Sequence, residues 1–188
     1  MRITTGGLIL MAAVAAMAAP AALDVKWESG QIRVTAANLR FLAGKSVERL
    51  KAGESVRYLL RLSLVDAERR REEGAVVERM VVSYDLWEER YWAKPQGRQG
   101  EGGRWKTLEQ TERWMVEQLA VPPPADRTRR YRVRLEITRD TAPAENGEPG
   151  LSLTRLVDIF SRRPQEEPER WTTESGEFRP GDLAPKPK

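Results

Sequence analysis

The stretch Ser55-Val-Arg-Tyr-Leu-Leu-Arg-Leu-Ser-Leu-Val65 decides the fold. Val56, Tyr58, Leu60, Leu62 and Leu64 occupy one parity, and Ser55, Arg57, Arg61 and Ser63 the other. Successive side chains of a strand point to opposite faces, so this alternation predicts a half-buried strand. The charged run Arg69-Arg-Arg-Glu-Glu-Gly74 predicts a turn, and a return strand follows over about 75–86 with Val76, Met80, Val82, Tyr84 and Leu86 on one face. Its other face carries Val77, Val81 and Trp87, which predicts a central strand covered on both sides near Met80 to Val82. A bend near Glu88-Glu89 leads to a short strand opening at Tyr91 and Trp92. The segment from Pro95 to Gly103 then reads as a loop tip, with Trp105 pairing back across it.

The flanking segments repeat the pattern. Val25 and Trp27 precede Ser29-Gly30, and Ile32, Val34 and Ala36 follow in alternation, which predicts a hairpin. Residues 46–52 predict a two-turn helix with Gly53 as its stop. Thr107-x-x-Gln110 has the capping-box form and opens a helix over about 107–120. Its stripe is Leu108, Met115 and Leu119, joined by Thr111 and by Trp114 or Val116, and Pro122-Pro-Pro124 ends it. Tyr131, Val133, Leu135 and Ile137 alternate with Arg132, Arg134, Glu136 and Thr138 in a further strand. Thr141 to Gly150 reads as a loop, Leu151 to Phe160 as another strand, and 161–188, with five prolines, as a largely extended or disordered tail on which Trp171 docks. The fold class is therefore mainly β: an antiparallel β-sandwich-like domain over 22–160 with one packed helix and one short one.

The first residues carry an address. Arg2 stands ahead of the apolar run Leu8 to Ala19, and Ala19-Pro20-Ala21 places small side chains before a cut at Ala22, the order of a secretory signal peptide over 1–21. The alternative is a retained anchor, because Ile3 to Leu23 is uncharged and of roughly spanning length. Its alanine content favours cleavage. The expected location is periplasmic or secreted, with no transmembrane helix in the mature chain.

Composition narrows the chemistry. The chain has neither cysteine nor histidine, which removes Ser-His-Asp and Cys-His nucleophilic catalysis, Cys/His zinc sites and thiol redox chemistry. There is no Ser-x-x-Lys motif, and no cofactor or metal is expected. Without residues 1–21, 31 Lys+Arg face 28 Asp+Glu, so the net field is weak despite the high isoelectric point. Nucleic acid is accordingly not expected as a partner.

Five stretches carry a resemblance: Ser46-Val-Glu-Arg-Leu-Lys-Ala-Gly53 before the long strand, Val82-Ser-Tyr-Asp-Leu86 with Tyr91, Thr107-Leu-Glu-Gln110, Arg132-Val-Arg-Leu135, and Phe160-Ser-Arg162. Over roughly residues 30–175 the chain resembles an uncharacterised family of exported bacterial proteins classed as a domain of unknown function. The resemblance implies an extracytoplasmic, β-sandwich-like domain and supplies no catalytic residue.

Two groups stand out as candidate ligand-binding residues. Tyr84, Trp87, Tyr91, Trp92 and Trp105 are dense for a chain with 13 aromatics, and are read either as a platform for a glycan or peptide or as cross-strand packing. Arg130, Arg132 and Arg134 share one strand face, with Arg127 and Arg129 just before it; they are read either as a polyanion-binding row or as cations paired with acids opposite. Asp85, Glu88 and Glu89 are the carboxylates a glycosidase would need near the aromatics, and Asp140, Glu145, Asn146 and Glu148 are the oxygen donors a calcium site would need. The leading expectation is a non-catalytic binding domain of the bacterial envelope whose partner is another envelope protein or a glycan. A carboxylate-dependent glycan-active enzyme and an Arg-rich polyanion-binding module are the alternatives.

Overall fold

The structure, a computed structural model, describes residues 23–97, 102–140 and 169–184. The expected signal peptide and the expected strand at 151–160 lie outside these residues. The described residues form two antiparallel sheets: a small one in the order β1-β2-β7 and a large one in the order β6-β5-β4-β3-β8-β9. The small sheet comprises β1 (Leu23–Glu28), β2 (Gln31–Ala36) and β7 (Ala120–Val121). The large one comprises β3 (Val56–Asp66), β4 (Glu72–Asp85), β5 (Arg90–Pro95), β6 (Gly103–Trp105), β8 (Tyr131–Asp140) and β9 (Arg170–Glu174). Among the described residues three short helices complete the fold: α1 (Lys45–Lys51), α2 (Leu108–Glu117) and α3 (Pro180–Leu183). Among the described residues no helix is long and apolar enough to cross a membrane.

β3 is the centre. It pairs with β4 on one side and β8 on the other along nearly its whole length, and Val56, Tyr58, Leu60, Leu62 and Leu64 are all buried. Cross-strand partners share a face, so Met80 and Val82 of β4 and Val133, Leu135 and Ile137 of β8 extend the same apolar layer. The small sheet, α1, α2 and the crossing segment with Leu39, Phe41 and Leu42 cover that layer.

Local chemistry explains the connections. Ser29 and Gly30, with φ of 51° and 79°, form the two-residue turn that matches the twist of a hairpin. α1 ends on Gly53 at φ 84°, where the Gly53 N–H donates to the Leu50 carbonyl and the Glu54 N–H to that of Arg49. This is a Schellman closure, which glycine makes without steric cost. α2 starts on Thr107, whose hydroxyl accepts from the Gln110 N–H.

Three expectations need correction. The second face of β4 is not covered by any layer among the described residues: Val77 is 51% exposed and Val81 only half-buried. The bend near Glu88-Glu89 is a full reversal, with Asp85 opposite Arg90 across a four-residue turn. The boundary at 160 does not hold either, since 170–174 form β9 at the edge of the large sheet, paired with β8 from Thr138 to Arg134. Beyond β9, Tyr131 and Phe178 exchange backbone hydrogen bonds. Ser175 fastens this segment doubly: its hydroxyl accepts from the Val133 N–H while its own N–H donates to the Val133 carbonyl. A parallel bridge from Ser175 to Leu23 then links the two sheets. Trp171 docks as expected, its ring 6.2 Å from that of Phe41 and 6.3 Å from that of Tyr58.

If the end of the chain is structural in this way, Trp171→Ala removes a half-buried indole from the core rim. The unfolding free energy measured in urea should fall by about 2–3 kcal/mol, where an undocked tail residue would change it by less than about 0.5 kcal/mol.

Candidate functional site

Strand parity divides the five aromatic candidates. Tyr84, Tyr91 and Trp105 are register partners on the inner face, in line with Val82 and Ala93. The rings of Tyr84 and Tyr91 lie 4.8 Å apart, and Trp105 packs 4.8 Å from Trp114 of α2. Burial raises the Tyr91 hydroxyl above its ordinary pKa. These three close the open end of the core and hold α2 against it. Trp92, one residue out of phase, lies on the outer face, 39% exposed, with the Lys94 ammonium 5.0 Å from its ring centre. Trp87 stands in the β4–β5 turn and is 97% exposed, next to the exposed Leu86. The structure therefore makes no single platform of the five.

The carboxylates at that turn are engaged. One oxygen of Asp85 accepts from the Trp87 N–H at 2.9 Å and the Glu88 N–H at 3.0 Å. These two bonds hold its carboxyl below the usual range. Glu88 pairs with Arg104 at 2.9 Å, and Glu89 takes the positive φ of 51° that completes the reversal. The three shape a rigid turn.

The arginine row faces solvent but carries its own counter-charges. Arg132 reaches Glu177 at 2.6 Å, Arg134 reaches Glu174 at 2.7 Å, and Arg130 lies 3.7 Å from Glu177. Both acids come from the segment that the sequence places outside the domain. Arg129 pairs with Asp126 at 2.8 Å, and Arg127 stacks 5.0 Å from the Trp27 ring. Beside Arg130 an open cleft of about 240 Å³ is lined by Glu177, Phe178, Arg179 and Asp182, charges of both signs. Asp140 ends β8 on the outer face opposite Arg57, while Glu145, Asn146 and Glu148 lie outside the described residues. Among the described residues, no group of three or more acidic side chains could hold a metal ion.

Sequence reasoning misses Glu112. It is 2% exposed in the middle of the buried stripe of α2, between Thr111 and Met115. Its carboxylate accepts from the Leu42 N–H at 2.6 Å and from the Phe41 N–H, tying the crossing segment to the helix. Burial pushes its pKa up to about 7, and the two backbone donors only partly offset that penalty. Nearby, the Tyr58 hydroxyl donates to Ser46 at 2.8 Å, and burial raises its pKa to about 12. Helical spacing from Leu108 through Thr111, Met115, Val116 and Leu119 is the signal that puts position 112 on the inner face.

The chain matches no family model, no curated protein and no solved structure.

The buried carboxylate has a measurable consequence. Because the folded pKa of Glu112 lies above its unfolded value, the folded chain keeps a proton that the unfolded chain releases, so this group's contribution to stability falls as pH rises from about 4.5 to about 7. Glu112→Gln keeps an oxygen acceptor without the charge. Relative to the parent, it should gain on the order of 2–3 kcal/mol between pH 5 and pH 8 in urea unfolding. Parallel pH profiles would show that Glu112 is not held neutral in the core.

Proposed function

We propose that the chain is a non-catalytic binding domain of the bacterial envelope that docks another protein through the tip of the β4–β5 hairpin. The observation that carries this reading is the exposure of adjacent Leu86 and Trp87 on a turn whose backbone Asp85 fixes. An indole offers a large contact area with one hydrogen-bond donor, and tryptophan is enriched among the residues that dominate binding energy at interfaces. A preformed turn loses little conformational freedom on docking, which favours affinity. The neighbouring carboxylates support binding over hydrolysis, because Asp85 is committed to backbone N–H groups and Glu88 to Arg104. Export rests on the N-terminal pattern of Arg2, the apolar run and Ala19-Pro20-Ala21. The resemblance to an exported family points the same way.

A photoreactive residue at position 87, introduced into the full chain in its native cells, tests the docking. Discrete protein adducts are expected from position 87, absent from position 73 at the far end of β4, and lost with Leu86→Ser. Adducts of equal yield from both positions would overturn the hairpin as a docking element. N-terminal sequencing of the same material should begin at Ala22, and an intact precursor held in the cytosol would overturn export.

A further inference from the structure

The outer face of the large sheet is divided by how its cations are satisfied. Toward β8 and β9 each has an acid in reach: Arg61 pairs with Glu72 at 2.7 Å, Arg170 with Glu136 at 3.5 Å, and Arg134 and Arg132 with Glu174 and Glu177. At the opposite corner Arg104 is held by Glu88. Between these regions Arg57, Arg79 and Lys94 have no ion-pair partner among the described residues. Register places them closely: Val81 lies directly between Arg57 of β3 and Lys94 of β5, and Arg79 is two residues before Val81 on the same face. Strand spacing then puts the three Cα atoms about 8–10 Å apart. The surface between them is apolar, formed by half-buried Val81 and Leu59, exposed Val77 and the rim of Trp92.

We infer that this corner, formed by Arg57, Arg79 and Lys94 around Val81 with Trp92 at its edge, binds an acidic polysaccharide. Asp140 across the register offsets part of the charge of Arg57, while Arg79 and Lys94 flank Val81 with like charge, and an anionic ligand relieves the repulsion that remains. Carboxylates on successive sugars meet the cations, while the apolar faces of the rings lie on Val81, Leu59 and Trp92. A single-stranded nucleic acid is a poorer fit, because stacking of successive bases needs several rings and, among the described residues, Trp92 is the only ring this face exposes. An extended anionic surface such as a bilayer would also meet Glu136 and Asp140, which border the patch along β8. A narrow chain running along β4 avoids them. This site is separate from the hairpin tip and does not depend on the docking of a protein there.

The test measures binding of polygalacturonate oligomers to the purified chain by calorimetry. Affinity should fall about tenfold between about 50 and 200 mM salt, as expected when a few cations release counterions. Lys94→Gln combined with Arg79→Gln should lose about tenfold at low salt, and Trp92→Ala about threefold. Arg132→Gln with Arg134→Gln, whose parent side chains are already paired, should stay within about twofold, as should Trp87→Ala. Urea midpoints establish that each variant is folded. If the double variant is not, Arg79→Gln alone, on an exposed side chain, decides with an expected loss of about threefold. Absence of binding at low salt overturns the inference. So does an equal loss in the Arg132 and Arg134 variant, or tighter binding to oligothymidine or to phosphatidylglycerol vesicles than to the polysaccharide.

Discussion

The inward stripe of β3 is the constraint on which the molecule depends. The chain has no cysteine, so no disulfide limits the unfolded ensemble, and cohesion rests on apolar burial and backbone pairing. Val56, Tyr58, Leu60, Leu62 and Leu64 supply the middle of the buried layer, and β4 and β8 extend it on either side. A slip of one residue would turn Arg57 and Arg61 inward and Leu60 and Leu62 to solvent. The length of the alternation makes that register the only one compatible with a dry core.

The covering layer is less regular, and it carries a polar obligation. A segment without secondary structure crosses the core to deliver Leu39, Phe41 and Leu42, and its N–H groups have no strand to pair with. Glu112 satisfies two of them from the helix that packs alongside. A buried backbone donor left unpaired costs about 1–3 kcal/mol, so a desolvated carboxyl is tolerated there. The same arrangement couples this part of the core to proton concentration near neutrality.

The surface follows a different logic. On the outer face of the large sheet the cations toward β8 and β9 are paired, and Arg130, Arg132 and Arg134 act as the inner half of an ion-paired edge with Glu174 and Glu177. Such exposed pairs contribute little energy each, and they mainly orient β9 and the residues after it. Two features stand out around β4 and β5: an apolar tip at Leu86 and Trp87, and a basic corner around Val81 whose cations have no ion pair among the described residues. The tip and two of the corner's three cations, Arg79 and Lys94, lie on one hairpin whose inner side chains pack in the core, and the third, Arg57, lies on the neighbouring strand β3.

Sequence alone determined the mainly β fold, the hairpin at Ser29-Gly30, the capped helix at Thr107 and the parity of β3 and β8. Periodicity and turn chemistry are local, and a side chain's face follows from its position in a strand. The same parity already separated Trp92 from Tyr91, although the clustering of aromatics in the sequence suggested one platform. Tertiary structure alone decided that β9 joins the sheet. Its inward positions are Trp171 and Thr173, too short and too mixed a pattern to announce a strand, and the ladder with β8 creates it. It also decided that Arg132 and Arg134 are paired, because the acids that meet them lie about 40 residues further along the chain. Glu112 belongs to the same class: helical spacing placed it inward, but the N–H groups of Phe41 and Leu42 that make a carboxylate tolerable there come from 70 residues away.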